Sequence, residues 1–244
     1  MLLECEGVAI AQRLAPFTAS VGKGELIHLL GPNGAGKSSL LAALAGLLAA
    51  EGRIVFNGTL LSAWTGYALA RHRAYLVQQQ RPVGSVPVWH YLKLHQLTEE
   101  NDRILMTLCE AFQLTNKLSR PISRLSGGEW QRVRLVAVFC QTAQPEGELL
   151  LLDEPLTGLD LAQQAAFDSC VAARVAEGLT VIMSGHDINH SLHHAQRIWL
   201  LKEGVLLKQG ATQDVLQPDV LSTVYHVPFR KIDVDGQALL TTLF

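Results

Sequence analysis

The chain carries little charge and few aromatic residues, holds four cysteines, and has no run of about 18 uninterrupted apolar residues. Each shortage sets a class of function aside. Lys and Arg number 20 against 22 Asp and Glu, so the basic excess of a nucleic-acid binder is missing. Cys5, Cys109, Cys140 and Cys170 form no C-x-x-C pair. That spacing fits buried free thiols in a reducing cytoplasm. The lack of a long apolar run predicts that the chain does not span a membrane. The opening "MLLECEGVAIAQR" has no basic segment followed by a long apolar core, so no secretory signal is expected. There is no internal repeat and no low-complexity linker. What is abundant is apolar residues, 48% of 244, enough for a large core in one or two domains.

Four short apolar runs end in polar residues. "ELIHLL" from Glu25 leads into "GPNGAGKSS", "AYLV" from Ala74 into Gln78, "ELLLLDEP" into Asp153 and Glu154, and "LTVIMSGHD" into Ser184, Gly185 and His186. Apolar runs without alternation fit strands covered on both faces, as in a parallel α/β sheet. Ligands of such sheets bind beyond the carboxyl ends of the strands. One fold rule therefore gathers Lys37, Gln78, Asp153, Glu154 and His186 toward one site. Between Pro82 and Phe139 the spacing turns helical, which predicts a helical subdomain inserted between two strands. After Arg197, a hairpin is expected around Glu203-Gly204 and short helices in "TQDVL" and "PDVLSTVY". The division expected is 1–80 and 141–244 as two parts of one nucleotide-binding core, with 81–140 as the helical subdomain.

The stretch Gly31, Pro32, Asn33, Gly34, Ala35, Gly36, Lys37, Ser38 matches G-x-x-x-x-G-K-[ST]. Glycines let backbone N–H groups turn toward a phosphate chain, the lysine reaches the β- and γ-phosphates, and the serine offers a hydroxyl to Mg²⁺. The following helix adds its positive end. Asp153 and Glu154 are adjacent at a strand end and point different ways, so they can divide the work. Asp153 is placed at Mg²⁺ and Glu154 at the attacking water as general base. Gln78 could reach the metal or the water, or belong to an ordinary polar loop. His186 could donate to the γ-phosphate. His186, His190 and His194 are spaced like a metal site on one helix face, but no nearby acid or cysteine completes it. His193 and His194 therefore read as surface residues.

"LSGGEWQRVRL" opens a helix with Ser126 as N-cap and Glu129 closing a capping box. Gly127 and Gly128 in its first turn cost about 1 kcal/mol each against alanine, a sacrifice that a second phosphate site would explain.

With the phosphate loop, "LSGGE", "LLLLDEP", "TGLD" and "SGHD" in this order, the whole chain resembles the ATPase subunits of ABC transporters. The resemblance implies a RecA-like phosphate-loop core with a mostly parallel sheet, an N-terminal antiparallel β portion and the inserted helical subdomain. It implies MgATP hydrolysis by a head-to-tail homodimer in which the turn at Ser126 to Glu129 covers nucleotide held by the partner. Gln78 then matches the glutamine-loop residue, Asp160 the D-loop aspartate and His186 the switch histidine, and Ser39 joins the nucleotide contacts. Metal contacts fall on Ser38, Gln78 and Asp153.

"HRAYLVQQQ", "PVWHYLKLHQ" and "LLLLDEPLTGLDLAQQ" look most like vitamin B12 importer ATPases. Ferric-siderophore or haem importer ATPases and a soluble ABC regulator are the alternatives. The implied partners are two membrane-spanning permease subunits and, indirectly, a periplasmic binding protein, with this chain peripheral on the cytoplasmic face of the inner membrane. Trp89 and Tyr91 could face the membrane partner or pack the helical subdomain.

One departure from the family pattern stands out: no aromatic precedes the phosphate loop before Phe17, which reads as a core residue. Arg13 could stack on adenine instead. A small-molecule kinase would leave "LSGGE" and "SGHD" unexplained. A DNA-repair ATPase of this superfamily would need a long coiled coil between Lys37 and Ser126, and a translation factor a second phosphate loop.

Overall fold

The computed structural model describes residues 1–96 and 102–242. Leu97, the end of the helical pattern that starts at Val86, lies outside them. The N-terminal strands β1 (Leu3–Ile10), β2 (Leu14–Val21), β4 (Glu51–Phe56) and β5 (Thr59–Leu60) make an antiparallel sheet in the order β2-β1-β4-β5. The central sheet runs β10-β9-β3-β8-β7-β6. Its strands β3 (Leu26–Leu30), β6 (Arg73–Leu76), β7 (Leu149–Leu152), β8 (Thr180–Ser184) and β9 (Arg197–Lys202) are parallel, and β10 (Val205–Ala211) pairs antiparallel with β9. The mostly parallel sheet and the antiparallel N-terminal portion are those expected.

Continuous apolar runs form these strands because both faces are covered. Side chains alternate along a strand. Leu149 and Leu151 therefore share a core with Ile27, Leu29, Ile182 and the N-terminal sheet, while Leu150 and Leu152 join Val181, Met183 and Ala74 in a second core. Helix α1 (Lys37–Leu44) belongs to the first core; α5 (Gly127–Thr142) and α6 (Leu161–Ala176) belong to the second. Burying one leucine side chain contributes about 1.5–3 kcal/mol, so this double-faced sheet is a rigid platform for its own C-terminal ends.

Helices α2 (Gly66–His72), α3 (Val88–Lys93) and α4 (Asp102–Ala111) fill the span between β5 and α5 together with β6. Tyr91 packs against the second core with its ring 5.0 Å from Trp130, whereas Trp89 is half exposed. Phe17 is buried edge-on against Trp199, as a core residue should be.

Helix α7 (Ile188–His194) follows β8, so His186 precedes the helix. The hairpin at Glu203-Gly204 forms with both residues at positive φ, the two-residue turn whose twist suits a β-ribbon. Helices α8 (Thr212–Val215) and α9 (Pro218–Tyr225) follow as expected. A final hairpin, β11 (Phe229–Val234) with β12 (Gln237–Thr242), was not anticipated; Asp235-Gly236 at its turn was the available signal. Among the described residues no helix is long and apolar enough to cross a membrane.

Candidate active site

Gly31 and Gly36 are fixed by space as well as by φ. A Cβ on Gly31 would lie 2.0 Å from the Leu201 carbonyl oxygen, and one on Gly36 2.8 Å from that of Arg13. Gly36 sits in the left-handed region at φ 96° and caps α1 without any side-chain hydrogen bond. The first N–H groups of α1 thus have no side-chain acceptor and face the loop with the helix's positive end. Lys37 is buried and its ammonium donates to the carbonyls of Gly31 (2.7 Å) and Pro32 (3.0 Å). Burial pushes its pKa down, while the Glu154 and Asp153 carboxylates push it back up.

The loop opens on a cleft of about 500 Å³ lined by Asn33, Gly34, Ala35, Gly36, Lys37, Ser38 and Ser39. Gln78, Glu154 and His186 also line it, so residues from four strand ends meet as the sheet rule required. Gln12 and Arg13 complete it, and among the described residues no Phe, Tyr or Trp lines it. Gln78, Asp153 and Glu154 also line an adjoining cavity of about 460 Å³, together with Ser126, Gly127 and Gly128. Ser126, Gly127 and Gly128 are not among the residues that line the phosphate-loop cleft.

The two acids have distinct surroundings. Asp153 is 2% exposed. Its Oδ1 accepts a hydrogen bond from the Ser184 hydroxyl at 2.6 Å, and its Oδ2 is buried with no partner among the described residues. Glu154 sits at a positive φ of 49°, an unusual conformation for a side chain this long. Its N–H donates to Ser184 Oγ at 2.9 Å, and its Oε1 lies 2.5 Å from His186 Nε2. Thus one buried serine holds both acids. Sequence reading placed Ser184 in the polar end of an apolar strand but gave it no role. Ser184→Ala should leave the Glu154 N–H unpaired and cost about 1–3 kcal/mol. Thermal unfolding alongside the Mg²⁺ dependence of hydrolysis measures both effects.

The expected capping box is present. Glu129 N–H donates to Ser126 Oγ (3.2 Å) and Ser126 N–H to Glu129 Oε2 (2.8 Å). That second bond, then the Lys117 ammonium, draws the Glu129 pKa down to about 2. The two glycines have different reasons. A Cβ on Gly128 would meet the Gly158 carbonyl oxygen at 2.8 Å, whereas Gly127 faces open space. Asp160 caps α6 in a second box with Gln163. Neither Glu129 nor Asp160 lines the two cavities described above.

Helix α5 grips the strand ends through residues that sequence reading left unassigned. Trp130 Nε1 donates to the Gln80 carbonyl (2.5 Å) and Gln131 to that of Pro155 (2.9 Å), while Arg134 donates to the Val77 carbonyl. The loop after Gln78 and the turn after Glu154 are thereby tied to the helix that begins at Gly127.

The histidine row needs correction. No acid near it in sequence completes a site, but the fold brings Asp168 from α6 to His190 and His194. His28 on β3 stacks behind His190 at 5.6 Å. Burial, then the nearby His190 and His194, push the His28 pKa down to about 3.

Comparison with known proteins agrees with this geometry. The family model described as ABC transporter matches residues 14–157. The vitamin B12 import ATP-binding protein BtuD of Citrobacter koseri is 48% identical over 98% of this chain and 97% of its own length. The protein of the same name from Escherichia coli O157:H7 is 49% identical over 98% of each. Among solved structures, an ATP-binding subunit of an ABC transporter superposes with a TM-score of 0.83 at 26% identity, covering 93% of this chain and 98% of that one. A nucleotide-free ATP-binding cassette superposes at 0.77 and 20% identity, covering 92% and 98%. On the phosphate loop, the paired acids and near-full-length relatives alike, the chain belongs to the ABC transporter family as an ATP-binding subunit.

Proposed function

We propose that this chain hydrolyses ATP to drive an importer of vitamin B12 (cobalamin) across the inner membrane. The observation that carries the substrate is the near-half identity, over almost the full length of both chains, to proteins named for vitamin B12 import. Two copies work as a homodimer on the cytoplasmic face, peripheral to two membrane-spanning subunits that receive cobalamin from a periplasmic binding protein. Cobalamin itself need not touch this chain.

The buried, unpartnered Oδ2 of Asp153 fits a cation; Gln78 lines the same cavity as Asp153, and Ser38 lines the phosphate-loop cleft that Gln78 also reaches. Asp153, Ser38 and Gln78 would hold Mg²⁺, which when bound neutralises charge on the β- and γ-phosphates. The N–H groups of residues 33–39 and the Lys37 ammonium bind the phosphate chain of ATP. Glu154 takes the proton of the attacking water, and His186, held against it, donates to the γ-phosphate. Ser126, Gly127 and Gly128 cover the nucleotide of the partner chain, with Glu129 fixing their turn and Asp160 facing the partner at the dimer contact. On closure Ser126 exchanges its cap for phosphate. The helical subdomain (81–140), tied to the Gln78 loop by Trp130 and Arg134, carries that closure to the membrane subunits.

Adenine is held without an aromatic platform, by Arg13 stacked on the base. GTP should then be hydrolysed at a rate comparable to ATP; a strong preference for ATP in a turnover assay would require another base contact. The substrate is tested in vesicles carrying the whole complex. ATP should drive uptake of labelled cobalamin and not of haem or a ferric siderophore; the reverse pattern would reassign the importer.

A further inference from the structure

Asp168 on α6 meets His190 and His194 on α7. His190 Nε2 lies 2.9 Å from Asp168 Oδ1, and His194 Nε2 lies 3.7 Å from Asp168 Oδ2. The two imidazoles stack at 4.5 Å, and one ligand atom from each of the three residues lies within 4.8 Å of the others. The i, i+4 spacing puts both rings on one helix face, and α6 supplies the carboxylate from outside. Zinc binds imidazole nitrogen at about 2.0–2.1 Å and carboxylate oxygen at about 2.0–2.2 Å, which separates tetrahedral ligand atoms by about 3.4 Å. One ligand atom from each residue already lies within 4.8 Å of the others, so side-chain rotation within the cluster would bring them to that separation.

His28, whose ring stacks on His190, carries an unpartnered nitrogen of its own. Ser191 Oγ donates to the Asp187 carbonyl, so it accepts from His28 Nδ1–H at 2.9 Å. His28 Nε2 is then a bare acceptor, buried without a hydrogen-bond partner among the described residues, on a side chain 1% exposed. His28 and His190 both line a cavity of about 210 Å³ that also reaches Glu154 and His186. Two imidazoles and one carboxylate make the donor set, with His28 stacked on His190 from β3.

We propose that Asp168, His190 and His194 bind a divalent transition ion of the zinc class, with a fourth position open to water and His28 buttressing His190 from behind. Two imidazoles and one carboxylate favour such an ion over Mg²⁺, which prefers an all-oxygen octahedron. Bound, the ion pins α7 to α6 and so steadies the segment that carries His186, which precedes α7. The site rests on none of the nucleotide chemistry.

Cobalt(II) reports it directly. The chelator-stripped chain without nucleotide should develop the visible absorption of four-coordinate Co²⁺ at one equivalent, and Zn²⁺ should abolish it. His194→Ala should remove the band; that side chain is 44% exposed, so the fold survives its loss. Asp168→Asn should remove it as well, while Glu154→Gln and His186→Ala should keep it. Zn²⁺ should raise the melting temperature of the parent chain and not of His194→Ala. No band at millimolar Co²⁺, a band that survives His194→Ala, or one lost with His186→Ala would overturn the assignment.

Discussion

Glu154→Gln is expected to lower ATP hydrolysis by roughly 10²- to 10⁴-fold while ATP remains bound, because a positioned general base contributes about that much. The amide keeps the shape of the carboxylate and leaves the backbone hydrogen bond to Ser184 untouched. What it loses is the capacity to take a proton. His186, 2.5 Å from the native carboxylate, cannot replace it if it is engaged with the γ-phosphate. The variant should therefore trap ATP and hold two chains together, seen as a mass doubling with ATP and not with ADP. Turnover within tenfold of the parent, measured in a phosphate-release assay, would remove Glu154 from the role of base.

Lys37→Ala should lose ATP binding as well as turnover. The ammonium already donates to the Gly31 and Pro32 carbonyls and is poised to turn outward to phosphate. Hydrogen bonds to charged groups contribute about 1.5–3 kcal/mol each, and each 1.4 kcal/mol is about tenfold in affinity. A drop of about 10- to 100-fold in ATP affinity is expected by calorimetry. The alanine also removes a positive charge that interacts with the Asp153 and Glu154 carboxylates, so the fall in hydrolysis should exceed the fall in binding. Unchanged ATP affinity would mean that the lysine only braces the loop.

Much of this site was legible because its residues sit where the fold has no freedom. Leu149 to Leu152 have to be buried on both faces, which forces Asp153 and Glu154 to the strand end. The same logic places Lys37, Gln78 and His186. The capping box at Ser126 was readable because it is a local hydrogen-bond pattern.

What escaped depends on contacts between distant segments. Ser184 matters only because β8 lies beside β7. Gly128 is constrained by the carbonyl of Gly158, and no local pattern announces that. Asp168 lies far from His190 in sequence and meets it only when α6 and α7 pack. Trp130 and Arg134 looked like an ordinary helix until their partners, the carbonyls beyond β6, were in place. Tyr91 and Trp89 share a helix and a chemistry, yet only tertiary packing buries one and exposes the other.

The proposed trans arrangement is the centre of this account: the phosphate loop of one chain would be completed by Ser126, Gly127 and Gly128 of the other. Mixing a Lys37→Ala chain with a Ser126→Arg chain tests it most directly, with different tags used to isolate the mixed dimer. Each parent homodimer has both sites broken, whereas the mixed dimer joins an intact Lys37 to an intact Ser126 in one site. The account predicts ATP hydrolysis by the isolated mixed dimer well above either parent. A mixed dimer as inactive as its parents would contradict it.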